Sequence, residues 1–363
     1  MAIRSNVSRF QDMLRARNMG YALLQNIDGH APSGNFFYLC NYNGLGVLII
    51  PADGKPLLLV AQMEYERAKD ASSVPVAIMK RKLPVEIAAR FSRRMLHEKR
   101  LGLDYDHTSM AQQARLRKYV RSSFVDVAEL CQTIRLRKTP SEIEKIQRAC
   151  MLTDKTFQKT FDVFDSFRTE ADIAAFMLQE TARFGCEPSF RPIVASGTSG
   201  ARPHYEVKQK KLCKGFCIID YGIRYQGYCA DMTRTVFLGK PTKHEQAAYA
   251  AVFAAHDAAR GVAVPGCSFA SIEKVARQRL GKYSKNFIHS IGHGLGVDVH
   301  EYPFVHGHHN KSFTQLGQDT VFTIEPGVYY PKRFGIRIED DYVMTKKGPQ
   351  ALTKSSRSLL VLR

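Results

Sequence analysis

The chain has 363 residues, 44% of them hydrophobic and 24% charged. That is room for about two domains and a large core, which excludes collagen-like, disordered and mini-protein classes. Lys and Arg (53) outnumber Asp and Glu (34), but the net charge of +19 is spread along the chain with no basic tail. It reads as a solvated basic surface with loose anion attraction and no specific nucleic-acid site.

The first third alternates short β-rich runs with amphipathic stretches. Strands are predicted at 21–24, 46–50, 57–60, 76–79 and 101–104, and helices at 4–18, 63–71 and 85–99. This is an α/β domain, placed at 1–133. Next comes RLRKTPSEIEKI, in which Thr139 is a good N-cap, Pro140 suits the first helical position and Glu142 completes a capping box. A long helix should run from there to about Phe164, followed by helices at 170–185, 243–260 and 268–281. The rest of 134–363 is strand-rich, so the second domain reads as α+β, with helices on an antiparallel sheet. No apolar run approaches the ~18 residues of a membrane span, and the N-terminus lacks the apolar stretch of a secretory signal. With eight cysteines read as free thiols, a cytoplasmic protein without membrane contact is expected.

Chemistry concentrates after Arg191. Phe216 to Thr235 reads as a hairpin turning near Tyr225-Gln226-Gly227. With Tyr225 and Gln226 as its loop, Asp220 opposes Asp231, and a bulge would shift this by one. A second hairpin, from Thr320 to Asp341, sets Glu325 and Glu339 symmetrically about Lys332. Four converging carboxylates repel by ~3 kcal/mol per pair at ~5 Å and an effective dielectric of ~20. Either some stay protonated, or cations sit between them. A nitrogen donor is at hand in a Gly-rich stretch holding His289, His293 and His300, where Gly292 and Gly294 let the backbone bring His293 close to a packed site. His204 lies in another turn-rich loop, and His306, His308 and His309 read as an exposed loop.

In the strings IIDYG, ADMTRT, GHGLGVDVHE, TIEPGVY and GIRIED, the residues Asp220, Asp231, His293, Glu325 and Glu339 resemble the ligand set of the pita-bread metallopeptidases. That family includes methionine aminopeptidase, Xaa-Pro aminopeptidase, Xaa-Pro dipeptidase (prolidase) and creatinase. RLRKTPSEIEKI is similar to the lead-in helix of its proline-directed branch. The resemblance implies a pita-bread catalytic domain at 134–363 behind a creatinase-type N-terminal domain, and a homodimer. It further implies two divalent ions, with Mn favoured on a carboxylate-rich donor set and Co, Zn or Fe open. Asp220 would hold one ion, His293 and Glu325 the other, and Asp231 and Glu339 both. His204 and His300 would contact substrate and steady the tetrahedral intermediate. Glu325 would also move the proton to the leaving nitrogen, a role not separable from ligation. His289, Tyr329 and Arg337 would support the pocket and bind substrate, although Arg337 reads equally well as a cation holding nearby carboxylates.

The reaction implied is hydrolysis of the Xaa-Pro bond of short proline-containing peptides. Prolidases of this family often carry an Arg four residues after the histidine matched by His300; here that position is Phe304. An apolar ring cannot anchor a terminal carboxylate, so Xaa-Pro aminopeptidase is expected ahead of Xaa-Pro dipeptidase, unless another basic residue supplies the clamp. The alternative of another class is a non-catalytic pita-bread binding protein that uses the basic surface.

Overall fold

The computed structural model describes residues 5–27, 33–90, 100–304 and 315–362. The chain divides into two compact units, Met1–Arg135 and Leu136–Arg363.

The first unit is built on a six-stranded sheet. From edge to edge the strands are Val76–Ile78, Leu57–Val60, Gly46–Pro51, Met19–Asn26, Arg100–Leu103 and Phe124–Asp126. Met19–Asn26 runs antiparallel to Gly46–Pro51 and parallel to Arg100–Leu103, so the sheet is mixed. Tyr21, Leu23, Ile49, Leu59, Leu101 and Leu103 share one buried cluster, the alternate-residue pattern of one sheet face. Helix Asn6–Ala16 starts at the Ser5 cap and buries Val7, Phe10 and Leu14, three and four residues apart. The helix expected at 85–99 is described as Leu83–Arg90, and residues 91–99 lie outside the described residues. So do His306, His308 and His309.

Three further α-helices were not anticipated, one of them the short Ala128–Leu136. In Gly34–Cys40 nearly every residue is buried, so no polar face marks a period. Met110–Arg117 carries a weak apolar stripe and is set by a Ser109–Gln112 capping box.

The second unit opens with helix Pro140–Asp162, where Thr139 and Glu142 form the expected capping box. Glu170–Arg183, Lys243–Val262 and Phe269–Leu280 follow, the first two capped by Thr169 and Thr242 in the same way. A four-stranded sheet has the order Val361–Leu362, Met232–Leu238, Gly215–Tyr221, Ile193–Ser196. A five-stranded antiparallel sheet has the order Glu301–Phe304, His293–Gly294, Val321–Ile324, Asp340–Thr345, Gly348–Ala351. Strand Gly215–Tyr221 shows how the packing places chemistry. Cys217, Ile219 and Tyr221 pack with Leu152, Phe157 and Ile173 of the first helix pair, whereas Phe216 and Ile218 join clusters on the other side. Asp220 shares the face of Phe216 and Ile218 by the two-residue period, away from that helix pair.

The first hairpin departs from its expected register. Its loop is Gln226-Gly227, both at positive φ (48° and 83°), as a type I′ turn requires. Tyr225 therefore faces Tyr228, and Asp220 faces Thr233. Asp231 lies two residues nearer the turn, diagonal to Asp220 and not directly opposite it. In the second hairpin, Gly327 faces Arg337 and Ile324 faces Asp340, which leaves Glu325 across from Glu339 with Lys332 at the turn.

Candidate active site

The two hairpins and the His293 strand meet at one pocket of about 640 Å³. Its walls include Asp220, Asp231, Glu325 and Glu339, together with His204, His289, His293, His300 and Arg337. All the candidate residues named from sequence line it except Tyr329, which lies behind the wall and bonds to both His289 and Arg337.

Potential ligand atoms fall into overlapping groups whose members all lie within 4.8 Å of one another. One group is Asp220, Asp231 and Glu339, and another is His293, Glu325 and Glu339. The third, Asp231, His293 and His300, includes a histidine that the sequence assigned to substrate and not to metal. The His293 and His300 rings stand edge to face with centroids 4.2 Å apart.

Each donor is held from behind. Asp220 accepts a hydrogen bond from Arg337 Nη2, and Arg337 also donates to Thr233 Oγ1 (3.0 Å) and Tyr329 Oη (2.7 Å). The Tyr329 hydroxyl, already accepting, turns its proton to His289 Nε2 (3.0 Å), while His289 Nδ1 donates to the Ser290 carbonyl (2.8 Å). Glu339 accepts from Thr233 Oγ1 (2.7 Å). Arg234 ties the same segment down through Asp340 Oδ1 (2.5 Å) and the Glu339 carbonyl (2.6 Å). The Asp231 amide donates to Asp341 Oδ2 (2.9 Å), which also accepts from Cys150 Sγ (3.2 Å) on helix Pro140–Asp162. Sequence reading missed Asp341 and Arg234, because their contacts span more than a hundred residues. The only local hint was their place inside IEDDY and ADMTRT.

His293 is brought in where side chains would not fit. A Cβ on Gly292 would lie 2.1 Å from the Thr323 carbonyl oxygen, and one on Gly294 2.3 Å from that of Tyr302. His293 Nδ1 donates to the Gly294 carbonyl (3.1 Å). That fixes the tautomer and leaves the Nε2 lone pair 3.5 Å from Glu325 Oε1 and 3.7 Å from Asp231 Oδ2.

The electrostatics are those of a site built for cations. Burial, reinforced by the neighbouring Asp220 charge, pushes Glu339 up to about 8. Burial and then Glu339 raise Asp231 and Glu325 well above the carboxylate range. Burial and then the facing His300 push His293 down to about 3; burial and then Arg337 do the same to His289. Asp220 Oδ1 and Asp231 Oδ1 are buried with no hydrogen-bond partner. Buried acceptors without donors, next to a neutral imidazole, are the donor set a divalent ion satisfies, so the residues fit a metal centre.

A pH dependence follows for the metal-free protein. A raised carboxyl pKa means that the folded state keeps a proton the unfolded chain releases, so its contribution is full below the ordinary value and is lost as pH rises through the raised one. For Glu339 that window runs from 4.5 to about 8. The depressed imidazoles act oppositely, but only below 6.5. In a chelator, stability should therefore fall between pH 6.5 and 8, by at most about 1.4 kcal/mol per pH unit for each proton, and Tm with it. Saturating Mn²⁺ should remove that fall, because the ion displaces the same protons. Thermal scans with and without chelator check this; a rising metal-free Tm across that window would contradict it.

Residues 144–346 match the family described as Metallopeptidase family M24, and residues 7–137 match the Creatinase/Prolidase N-terminal domain. The Xaa-Pro dipeptidase of Pyrococcus furiosus is 33% identical over 333 residues, 90% of this chain and 92% of that protein. The prolidase structure from Pyrococcus horikoshii OT3 matches with a TM-score of 0.87 at 29% identity, covering 98% of this chain and 100% of that one. The X-Pro aminopeptidase structure from Thermotoga maritima MSB8 matches with 0.88 at 28% identity, covering 98% and 99%. Among the described residues no helix is long and apolar enough to cross a membrane. The paired carboxylate hairpins, the histidine strand between them and these two domain matches lead to one conclusion: the chain belongs to metallopeptidase family M24, in its proline-directed pita-bread branch with a creatinase-type N-terminal domain.

Proposed function

We propose that this metallopeptidase is an Xaa-Pro dipeptidase, with 134–363 as its catalytic domain and 1–133 as the N-terminal domain. The observation that carries the reading is the convergence of Asp220, Asp231, His293, Glu325 and Glu339 in one pocket of substrate size, in a chain a third identical to an Xaa-Pro dipeptidase over nearly its whole length. Asp220, Asp231 and Glu339 would hold one ion, and His293, Glu325 and Glu339 the other, with Asp231 within reach of both. Mn²⁺ is the metal we assign, since hard carboxylate oxygens dominate the donor set; Co, Zn and Fe are the competitors. Bound there, divalent ions lower the pKa of a coordinated water toward neutrality and polarise the scissile carbonyl.

The chain's own residues do the rest. His204 and His300, both exposed in the pocket wall, present imidazole N–H groups to the oxygen on which charge develops. Glu325, partly exposed beside His293 and His289, is placed to carry a proton to the departing proline nitrogen. Each guanidinium nitrogen of Arg337 already donates, to Thr233, Tyr329 and Asp220, so its part is to hold Asp220 and orient Tyr329. His289 is fixed through Tyr329 and borders the substrate space. Free thiols at all eight cysteines support a reducing compartment, in keeping with a cytoplasmic peptidase.

One observation favours the aminopeptidase instead. Phe304 lines the pocket across the ladder from His293, where an arginine would have held a terminal carboxylate. The test is kcat/KM on Leu-Pro against Leu-Pro-Gly with Mn²⁺. The dipeptidase reading expects Leu-Pro to be favoured by tenfold or more, about 1.4 kcal/mol of differential transition-state binding. A tenfold preference for the tripeptide would make the aminopeptidase the better reading.

A further inference from the structure

We infer that Arg191 is the residue with which this pocket recognises a carboxylate of its substrate. The inference rests on the Xaa-Pro peptidase reading and goes beyond it by naming what selects the substrate. Among the described residues, two guanidinium groups line the pocket, Arg191 and Arg337. Arg337 is buried and each of its three guanidinium nitrogens already donates, to Thr233, Tyr329 and Asp220. Arg191 is exposed and has no hydrogen bond or ion pair among the described residues, although four carboxylates line the same pocket. Its planar fork of five N–H donors matches a carboxylate in two parallel bonds and is left for a ligand.

The backbone around Arg191 is held in place. Ser189 N donates to the Gly222 carbonyl (2.8 Å), and the Phe190 ring packs against Tyr221 with centroids 6.5 Å apart. Pro192 follows and restricts Arg191 to extended conformations. Ile193 then pairs with Asp220. Arg191 is thus anchored on the Asp220 side of the pocket, whereas Phe304 pairs with His293 and brings no charge. Sequence reading missed Arg191 because nothing local marks it; only the pairing of the strand that follows it, Ile193–Ser196, with that of Asp220 brings it to the site.

A Xaa-Pro substrate carries a carboxylate in two places: the free C-terminus of a dipeptide, and an acidic side chain at Xaa. Three substrates separate them: Leu-Pro has only the terminal group, Glu-Pro amide only the side-chain group, and Leu-Pro amide neither. Wild type, Arg191→Gln and Arg191→Lys are compared at saturating Mn²⁺. In Arg191→Gln, the kcat/KM ratio of one carboxylate substrate to Leu-Pro amide should fall by about tenfold to a hundredfold, carried by KM, as expected for losing a charged hydrogen-bond donor. Arg191→Lys should recover part of it. A fall in the Leu-Pro ratio assigns the terminal carboxylate, and a fall in the Glu-Pro amide ratio assigns the side chain. Ratios that stay at wild-type values on both overturn the inference while the peptidase reading stands. Wild-type protein that cleaves none of the three overturns the peptidase reading, and the inference with it.

Discussion

Asp231→Asn should lower the rate on an Xaa-Pro peptide by about 10³-fold or more, because the carboxylates and imidazole act as one unit and losing a member disables the whole. The same substitution should have opposite effects on stability in two conditions. Asp231 is buried against Glu339 and Asp220, and one of its oxygens has no hydrogen-bond partner. Without metal at neutral pH it must keep a proton that the unfolded chain gives up, a penalty the amide does not carry. In chelator the variant should therefore be more stable than wild type. With Mn²⁺ present, wild type should be the more stable, because the ion binds the folded state and the variant binds it less well. Metal analysis and paired thermal scans check this. Equal Tm shifts in both conditions would mean that Asp231 does not face a cation.

His204→Ala and His300→Ala should each lose about 10²–10³ in kcat, the usual loss for one donor to a developing oxyanion. His204 should do so with metal content unchanged, since it belongs to none of the ligand groups. His300 is the sharper case. Its ring lies 4.2 Å from that of His293, and it can share a ligand group with His293 and Asp231. If His300→Ala keeps two metals per chain while losing rate, its role is on the substrate. If it drops to one, it is a ligand and the role carried over from the family resemblance is wrong.

Some of this was legible in one dimension for physical reasons. Thr139-Pro140 and Glu142 signal a helix start through short-range bonds, and that helix begins where they place it. The five candidate donors could be named because each sits in a distinctive string, and their convergence is what the structure shows. The second hairpin was readable because its turn at Lys332 is centred on the symmetry of its own acids. The first was misread because its register depends on which two residues take positive φ; Gly227 was the clue, and taking Tyr225 as a loop residue set Asp231 opposite Asp220, where Thr233 stands. Helix Gly34–Cys40 left no period, since a helix buried on nearly all sides has no polar face to reveal it. Asp341 beneath the Asp231 amide and Arg191 at the pocket wall belong to the site only through long-range pairing.

On the proposed function, the pocket carboxylates and His293 hold the ions on which hydrolysis rests. Leu-Pro hydrolysis should be measured on exhaustively chelated protein and again after titration with Mn²⁺. The expected result is no detectable turnover without metal, and recovery that saturates near two equivalents per chain. Full turnover in the chelated protein, with metal content verified as nil, would contradict it.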